Sequence, residues 1–441
     1  MSGPGRLPFQ LPLATAVALP GSTLGAAAYL GVEAFHPPAP VAALIFGAAV
    51  VGAAFILSWA AEAAQVDINA GLALALLALL AVLPEYAVDF VFTLQCGAAY
   101  SEQGGGNPEV CSLALANMTG ANRVLVGVGW PLVVIVATLA VWKARRSTGS
   151  TGDGQTASTR SGEVRLAPAM SVEVAFLGMA TLYSLTLPLK STLTLWDSLV
   201  FVGLFVAYGW RLAQVQHTEP DLLGVSEWVG KQDTKPRRTW VVAMFAGAAL
   251  MILFTAEHFA ESLVATGDEL GISKFLLVQW VAPLASESPE LIVAALYAWR
   301  LKAADSFGTL LSSKVNQWTL LVGGLPVVFG LSALTTNGLP LDTEQRYELL
   351  ITAAQSLFAV ALLIDLRITF KGALALVTLF MVQFLVSVFG TAEANRVTIV
   401  VLSCVYVTLA VGRFAKRRRD LVGVLRDGTV RPLDELADEP V

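Results

Sequence analysis

Residues 280–296 read WVAPLASESPELIVAAL, and residues 77–90 read LALLAVLPEYAVDF. Each stretch sets a Pro-Glu pair, Pro289-Glu290 and Pro84-Glu85, inside an apolar run. A carboxylate at the centre of a membrane-spanning helix costs roughly 2.5–3.5 kcal/mol on insertion scales. A proline there frees a backbone carbonyl about one turn earlier. The two glutamates lie 205 residues apart in a chain of 441. A costly pair that recurs at this distance points to two related halves around a cation site at mid-membrane.

The rest of the chain fits that setting. It is 56% hydrophobic and 14% charged, with a mean hydropathy of +0.68, whereas soluble domains carry about 25% charged residues. Runs of about 20 apolar residues follow one another, the pattern of a polytopic all-α membrane protein embedded in a lipid bilayer. Twelve spans are predicted: 9–31, 40–63, 70–96, 110–142, 170–190, 193–215, 239–265, 273–300, 305–334, 346–366, 371–390 and 395–414. Residues 1–35 are read as an extra helix rather than a signal peptide. Gly127, Gly129 and Pro131 are expected to kink the long fourth span.

Basic residues gather in loops 143–169 and 216–238, at Arg300/Lys302 and Arg367/Lys371, and from Arg413 to Arg419. In a twelve-span arrangement all of these fall on one side, which places both termini in the cytoplasm, with the plasma (inner) membrane as the expected location. Segment 147–162 reads as a flexible linker. The net charge of −5 is thinly spread and excludes nucleic-acid binding. Cys96 and Cys111 bracket a Gly-rich loop on the opposite, oxidising side, where they form a disulfide or remain unpaired at helix ends.

An internal repeat follows from superposing the two glutamates. ANMTGANRVLVGVGWP (116–131) then faces LLSSKVNQWTLLVGGLP (310–326), so that Asn122 matches Asn316 and Gly129 matches Gly323. The Pro-Glu helices are the third and eighth spans, an odd offset of five in the order, so the halves are expected to be inverted in the membrane. The divisions are an extra helix (9–31), a first repeat (40–215), a loop (216–238), a second repeat (239–390), a second extra helix (395–414) and a tail (415–441).

A hard cation takes oxygen ligands. The candidates are Glu85, Glu290, Asn122, Asn316, and the carbonyls freed near Leu80 and Ala285. Ser286 and Ser312 lie one turn before Glu290 and Asn316 and share their faces. Asp89, Glu287, Arg123 and Lys314 add charge to the same helices. Either Arg123 and Lys314 form structural pairs with Asp89 and Glu287, or a fixed cation sits near the ion site and alters ion choice or stoichiometry.

These blocks resemble the cation/Ca²⁺ exchanger superfamily, which includes the sodium/calcium exchangers, in a divergent prokaryotic-type form. Its motifs run G-T/S-S-x-P-E and G-S-N-x-x-N/D; here the first reads Leu80-Ala81-Val82-Leu83-Pro84-Glu85 and Ala285-Ser286-Glu287-Ser288-Pro289-Glu290. The resemblance implies ten core helices in two inverted five-helix halves, Glu85 and Glu290 as central ligands, and exchange of Ca²⁺ for Na⁺ or H⁺. Ala81, Val82 and Met118 replace expected hydroxyls, which leaves monovalent Na⁺/H⁺ or K⁺/H⁺ exchange as the alternative. No cofactor is expected beyond the transported cations. There is no HExxH motif, phosphate loop or Ser-His-Asp set to suggest an enzyme. A non-transporting receptor is the other competing class.

Overall fold

The structure, a computed structural model, describes residues 7–32, 37–67, 83–148, 159–160, 162–214, 222–432 and 435–436. Leu80, Ala81 and Val82 therefore lie outside the described residues. The protein is an all-α, multi-pass integral membrane protein. Among the described residues ten segments are long and apolar enough to cross a membrane. The sequence predicts twelve. The other two, Leu83–Glu102 and Lys274–Trp299, are the helices that carry the Pro-Glu pairs and their extra acids.

In chain order, α1 (Gln10–Tyr29) and α2 (Ala39–Ala64) precede α3 (Leu83–Glu102). The next segment opens with 3₁₀ turns at Glu109–Leu115 and continues as α4 (Ala116–Val124). It then passes through a π-turn at Leu125–Gly129 and ends as α5 (Trp130–Thr148). The kink expected at the glycines and Pro131 is this π-turn, which inserts an extra residue into the helical ladder. After α6 (Ser171–Ser184) and α7 (Leu195–Leu212) comes a short helix, α8 (Val225–Gly230). α9 (Thr234–Leu270) and α10 (Lys274–Trp299) lead to a second interrupted segment. It comprises α11 (Ala303–Asn316), a π-turn at Gln317–Leu321 and α12 (Val322–Ala333). α13 (Thr343–Leu363), α14 (Phe370–Phe389), α15 (Ala392–Lys416) and α16 (Arg418–Thr429) complete the chain.

The packing is reciprocal. α3 lies against α12 and α10 against α4; α7 covers the second π-turn and α14 the first. The long helices α2 and α9 run along each other, with α1 seated on both. A Cβ on Gly25 of α1 would lie 1.8 Å from the Phe254 carbonyl oxygen, so the backbones of α1 and α9 touch and only glycine fits. α15 packs on α13, and α16 packs on α6.

Most of the stretch read as a linker, 149–158 and 161, lies outside the described residues, but the chain just after it and the first part of the tail are structured. β1 (Thr159–Arg160) and β2 (Glu163–Arg165) pair antiparallel, and β2 continues onto β5 (Arg367–Thr369) with Val164 opposite Ile368. A second ladder joins β3 (Thr192–Leu193) to β4 (Leu339–Pro340). These strands are the one amendment to an all-helical fold. In the tail, Arg211 donates to the carbonyls of Asp427, Gly428 and Arg431 and so caps the end of α16. Asp365 gathers Arg367 and Arg413 at 3.0 Å each. Asp67 takes a two-pronged contact from Arg237 at 2.7 Å per prong, and that guanidinium holds its carboxyl below the ordinary carboxylate range.

Candidate ion site

The two Pro-Glu helices and the two asparagine helices meet in the interior. Glu85, Asp89 and Glu287 are buried, and Glu290 is partly buried. Glu85 lies within electrostatic reach of Asp89, Glu290 and Glu287. The link between the halves is Gln317, the first residue of the second π-turn. Its Nε2 donates to Glu85 Oε2 at 3.2 Å and to Glu287 Oε1 at 2.8 Å. One side chain thus holds a carboxylate from each Pro-Glu helix.

Among the described residues, several oxygens at this centre have no donor: Glu85 Oε1, both Asp89 oxygens, Glu287 Oε2, Glu290 Oε2 and Gln317 Oε1. Asp89 is close to Asn117 and the Met118 amide, but its oxygens do not meet hydrogen-bond geometry with either. A buried carboxylate oxygen without a donor is costly. Such a set of hard oxygens suits a transported cation. Among the described residues no three His, Cys, Asp or Glu side chains are gathered closely enough to hold a metal alone. Amide and backbone oxygens would have to complete any shell.

The two asparagines are oriented from opposite halves. Asn316 Oδ1 accepts from the Tyr86 hydroxyl on α3 at 2.8 Å. Asn122 donates its Nδ2 to the Met118 carbonyl at 3.0 Å, which turns Oδ1 towards Lys314 on α11. Lys314 Nζ lies 2.7 Å from that Oδ1 and 2.8 Å from the Asn122 carbonyl oxygen.

The expected charge pairs form differently. Arg123 does not pair with Asp89. Its Nη1 is 2.7 Å from Glu348 Oε2 on α13, an ion pair by distance although neither atom meets hydrogen-bond geometry. Its Nε donates to the Thr119 carbonyl at 3.1 Å, and the guanidinium covers the Trp280 ring at 4.7 Å. The reason is direction: Arg123 follows Asn122 by 100° of helix rotation and projects towards α13 rather than α3. Lys314 likewise takes Asn122 as its direct partner rather than Glu287, which is occupied by Gln317.

The hydroxyls also divide. Ser312 is 2.9 Å from the Tyr208 hydroxyl on α7, while the next residue, Ser313, is the hydroxyl beside Glu290. Ser286 makes long contacts of 3.3 and 3.4 Å to the carbonyls of Ala282 and Pro283. The carbonyl that Pro289 frees, on Ala285, accepts from the Ser288 hydroxyl at 3.1 Å. The carbonyl near Leu80 lies outside the described residues. Cys96 and Cys111 form a disulfide that ties α3 to the 3₁₀ turns before α4.

Sequence reading missed Gln317, Tyr86, Ser313 and Glu348. Three adjoin singled-out positions (Asn316, Glu85 and Ser312), so adjacency was a usable signal. Glu348 had none, because its partner Arg123 is distant in the chain and only folding joins them.

With this geometry in place, known proteins supply the lineage. The model of the family described as sodium/calcium exchanger protein matches residues 39–212 and 240–390. The crystal structure of an H⁺/Ca²⁺ exchanger, CAX, superposes with a TM-score of 0.83 at 40% identity, covering 97% of this chain and 98% of that one. The structure of native YfkE shares the fold, with a TM-score of 0.51 at 14% identity over 91% of this chain and 99% of that one. No curated protein sequence matches the chain. The paired Pro-Glu helices, the family match over both halves and the full-length likeness to CAX lead to one conclusion: this chain belongs to the sodium/calcium exchanger family.

Proposed function

We propose that this exchanger carries Ca²⁺ against H⁺ through a central site lined by Glu85 and Glu290. Asn122, Asn316, Ser286 and backbone carbonyls are the further ligands of this reading, and Ser313 joins them in place of Ser312. The observation that carries it is the set of donorless carboxylate oxygens from both Pro-Glu helices, cross-linked by Gln317. Two carboxylates compensate one divalent cation or hold protons in its place, so the two cargoes compete for the same oxygens. The 40% identity to an H⁺/Ca²⁺ exchanger favours H⁺ over Na⁺ as the counter-ion. The ammonium beside Asn122 reduces the charge demanded of the cargo and supports monovalent Na⁺/H⁺ or K⁺/H⁺ exchange as the second reading.

The reciprocal contacts of α3 with α12, α10 with α4, and the fifth helices with the π-turns support two inverted five-helix repeats, 40–215 and 239–390. On this reading α1 and α15 are extra helices outside the core, twelve segments cross the inner membrane, and the basic loops and both termini face the cytoplasm. The test is reconstitution in proteoliposomes with Ca²⁺ and pH dyes read in parallel under H⁺, Na⁺ or K⁺ gradients. Ca²⁺ uptake coupled to H⁺ release is expected. Vesicles in which no gradient moves Ca²⁺ would rule the reading out.

A further inference from the structure

We infer that Lys314 is a tethered cation of the transport site: its ammonium takes one lone pair of Asn122 Oδ1, leaves the other to the cargo, and lowers by one the number of counter-cations exchanged per Ca²⁺. This rests on the reading of the central site given above. Lys314 is buried, and both polar partners of its Nζ are oxygens, at 2.7 and 2.8 Å. Those are the distances of a charge-assisted contact. Both oxygens belong to Asn122, the residue that matches Asn316 in the other half. Glu85 and Glu287 are within electrostatic reach.

Three features separate this lysine from a structural one. A structural buried lysine takes a carboxylate as its direct partner, since an unpaired buried charge is costly. Lys314 instead sits on an amide oxygen and a backbone oxygen, the ligand types a bound cation uses. The other buried cation of the region, Arg123, does have its own acid in Glu348 and so drops out of the site's charge. Among the described residues Lys314 is then the one cation left to offset the cluster of Glu85, Asp89, Glu287 and Glu290, and leaves a net three negative charges when all four are ionised. Finally, the lysine occurs on one side only. The matched asparagine, Asn316, receives the neutral Tyr86 hydroxyl.

Replacing the ammonium by an uncharged group of similar reach restores that position to a mobile cation. The experiment reconstitutes wild type, Lys314→Gln and Lys314→Arg, and finds the Ca²⁺ gradient that balances a set H⁺ gradient and membrane potential. One additional counter-cation per Ca²⁺ is expected for Lys314→Gln, with Lys314→Arg at the wild-type ratio. An unchanged ratio in Lys314→Gln overturns the inference. If Lys314→Gln does not fold, Asn122→Asp adds the same unit of negative charge at that position and should raise the ratio equally; no change there also overturns it. A wild type that moves no Ca²⁺ under any gradient defeats the exchange reading instead. Equilibrium dialysis of purified protein with labelled Na⁺ then decides on Lys314 alone: one more Na⁺ bound by Lys314→Gln supports its role, and equal binding ends it.

Discussion

The two halves of this exchanger hold equivalent asparagines by opposite chemistry. Asn316 is fixed by a phenol from the first half, and Asn122 by an ammonium from the second. The difference extends two residues earlier. By the register that matches the asparagines, Lys314 corresponds to Gly120. A side chain at Gly120 would force α4 and α10 apart, because a Cβ there would lie 1.7 Å from the Gln279 carbonyl oxygen. α4 therefore packs backbone to backbone on α10, while α11 keeps room for a lysine. On the two-repeat reading, a duplicated frame need not be a duplicated site. Close packing at one copy and an added charge at the other make the halves unequal while preserving the helix arrangement.

The largest effect should come from the carboxylates that the halves share. Glu85→Gln and Glu290→Gln should each reduce exchange roughly 100-fold or more, since losing one charge of a buried set costs on the order of 3 kcal/mol and 1.4 kcal/mol is tenfold. Initial rates of Ca²⁺ uptake in vesicles measure this. A variant that keeps normal flux would remove its half from the site.

Next comes the ion pair found in the first half's asparagine helix alone. Glu348→Gln strands the Arg123 guanidinium and should destabilise the protein by about 3–5 kcal/mol. The double substitution Arg123→Met with Glu348→Leu should recover most of that loss. Thermal melts in detergent compare them. Equal destabilisation by the single and the double variant would show that the pair is not what the arginine needs.

The smallest effect belongs to packing. Gly120→Ala should cost about 1–3 kcal/mol as the α4–α10 contact is forced apart, whereas Gly203→Ala on α7, whose Cβ would meet no atom within 4 Å, should be nearly neutral. A melting temperature unchanged by Gly120→Ala would mean the contact is looser than its 1.7 Å approach implies.

Much of this was legible in the sequence because the membrane makes polarity expensive. Glu85, Glu290, Asn122 and Asn316 stand out against apolar runs, and their recurrence is what the two-repeat reading rests on, without any contact being known. The glycines and Pro131 announced the break in the fourth segment for a different reason: they weaken a helix locally whatever surrounds it. Partner choice was not legible. Which acid takes Arg123, and which hydroxyl, Ser312 or Ser313, turns to Glu290, depend on the rotation of each helix about its axis. Two adjacent residues differ by 100°, enough to move a side chain from the site to a neighbouring helix.

The sequence alone determined the class of the molecule and the positions of the costly carboxylates, because hydropathy and the expense of a buried charge are properties of the residues themselves. Only the tertiary structure decided that Gln317 bridges the two Pro-Glu helices, that Arg123 belongs to Glu348, and that Lys314 rests on Asn122. Those pairings join residues from different helices, and the relative placement of packed helices is fixed by contacts that no single stretch of chain contains.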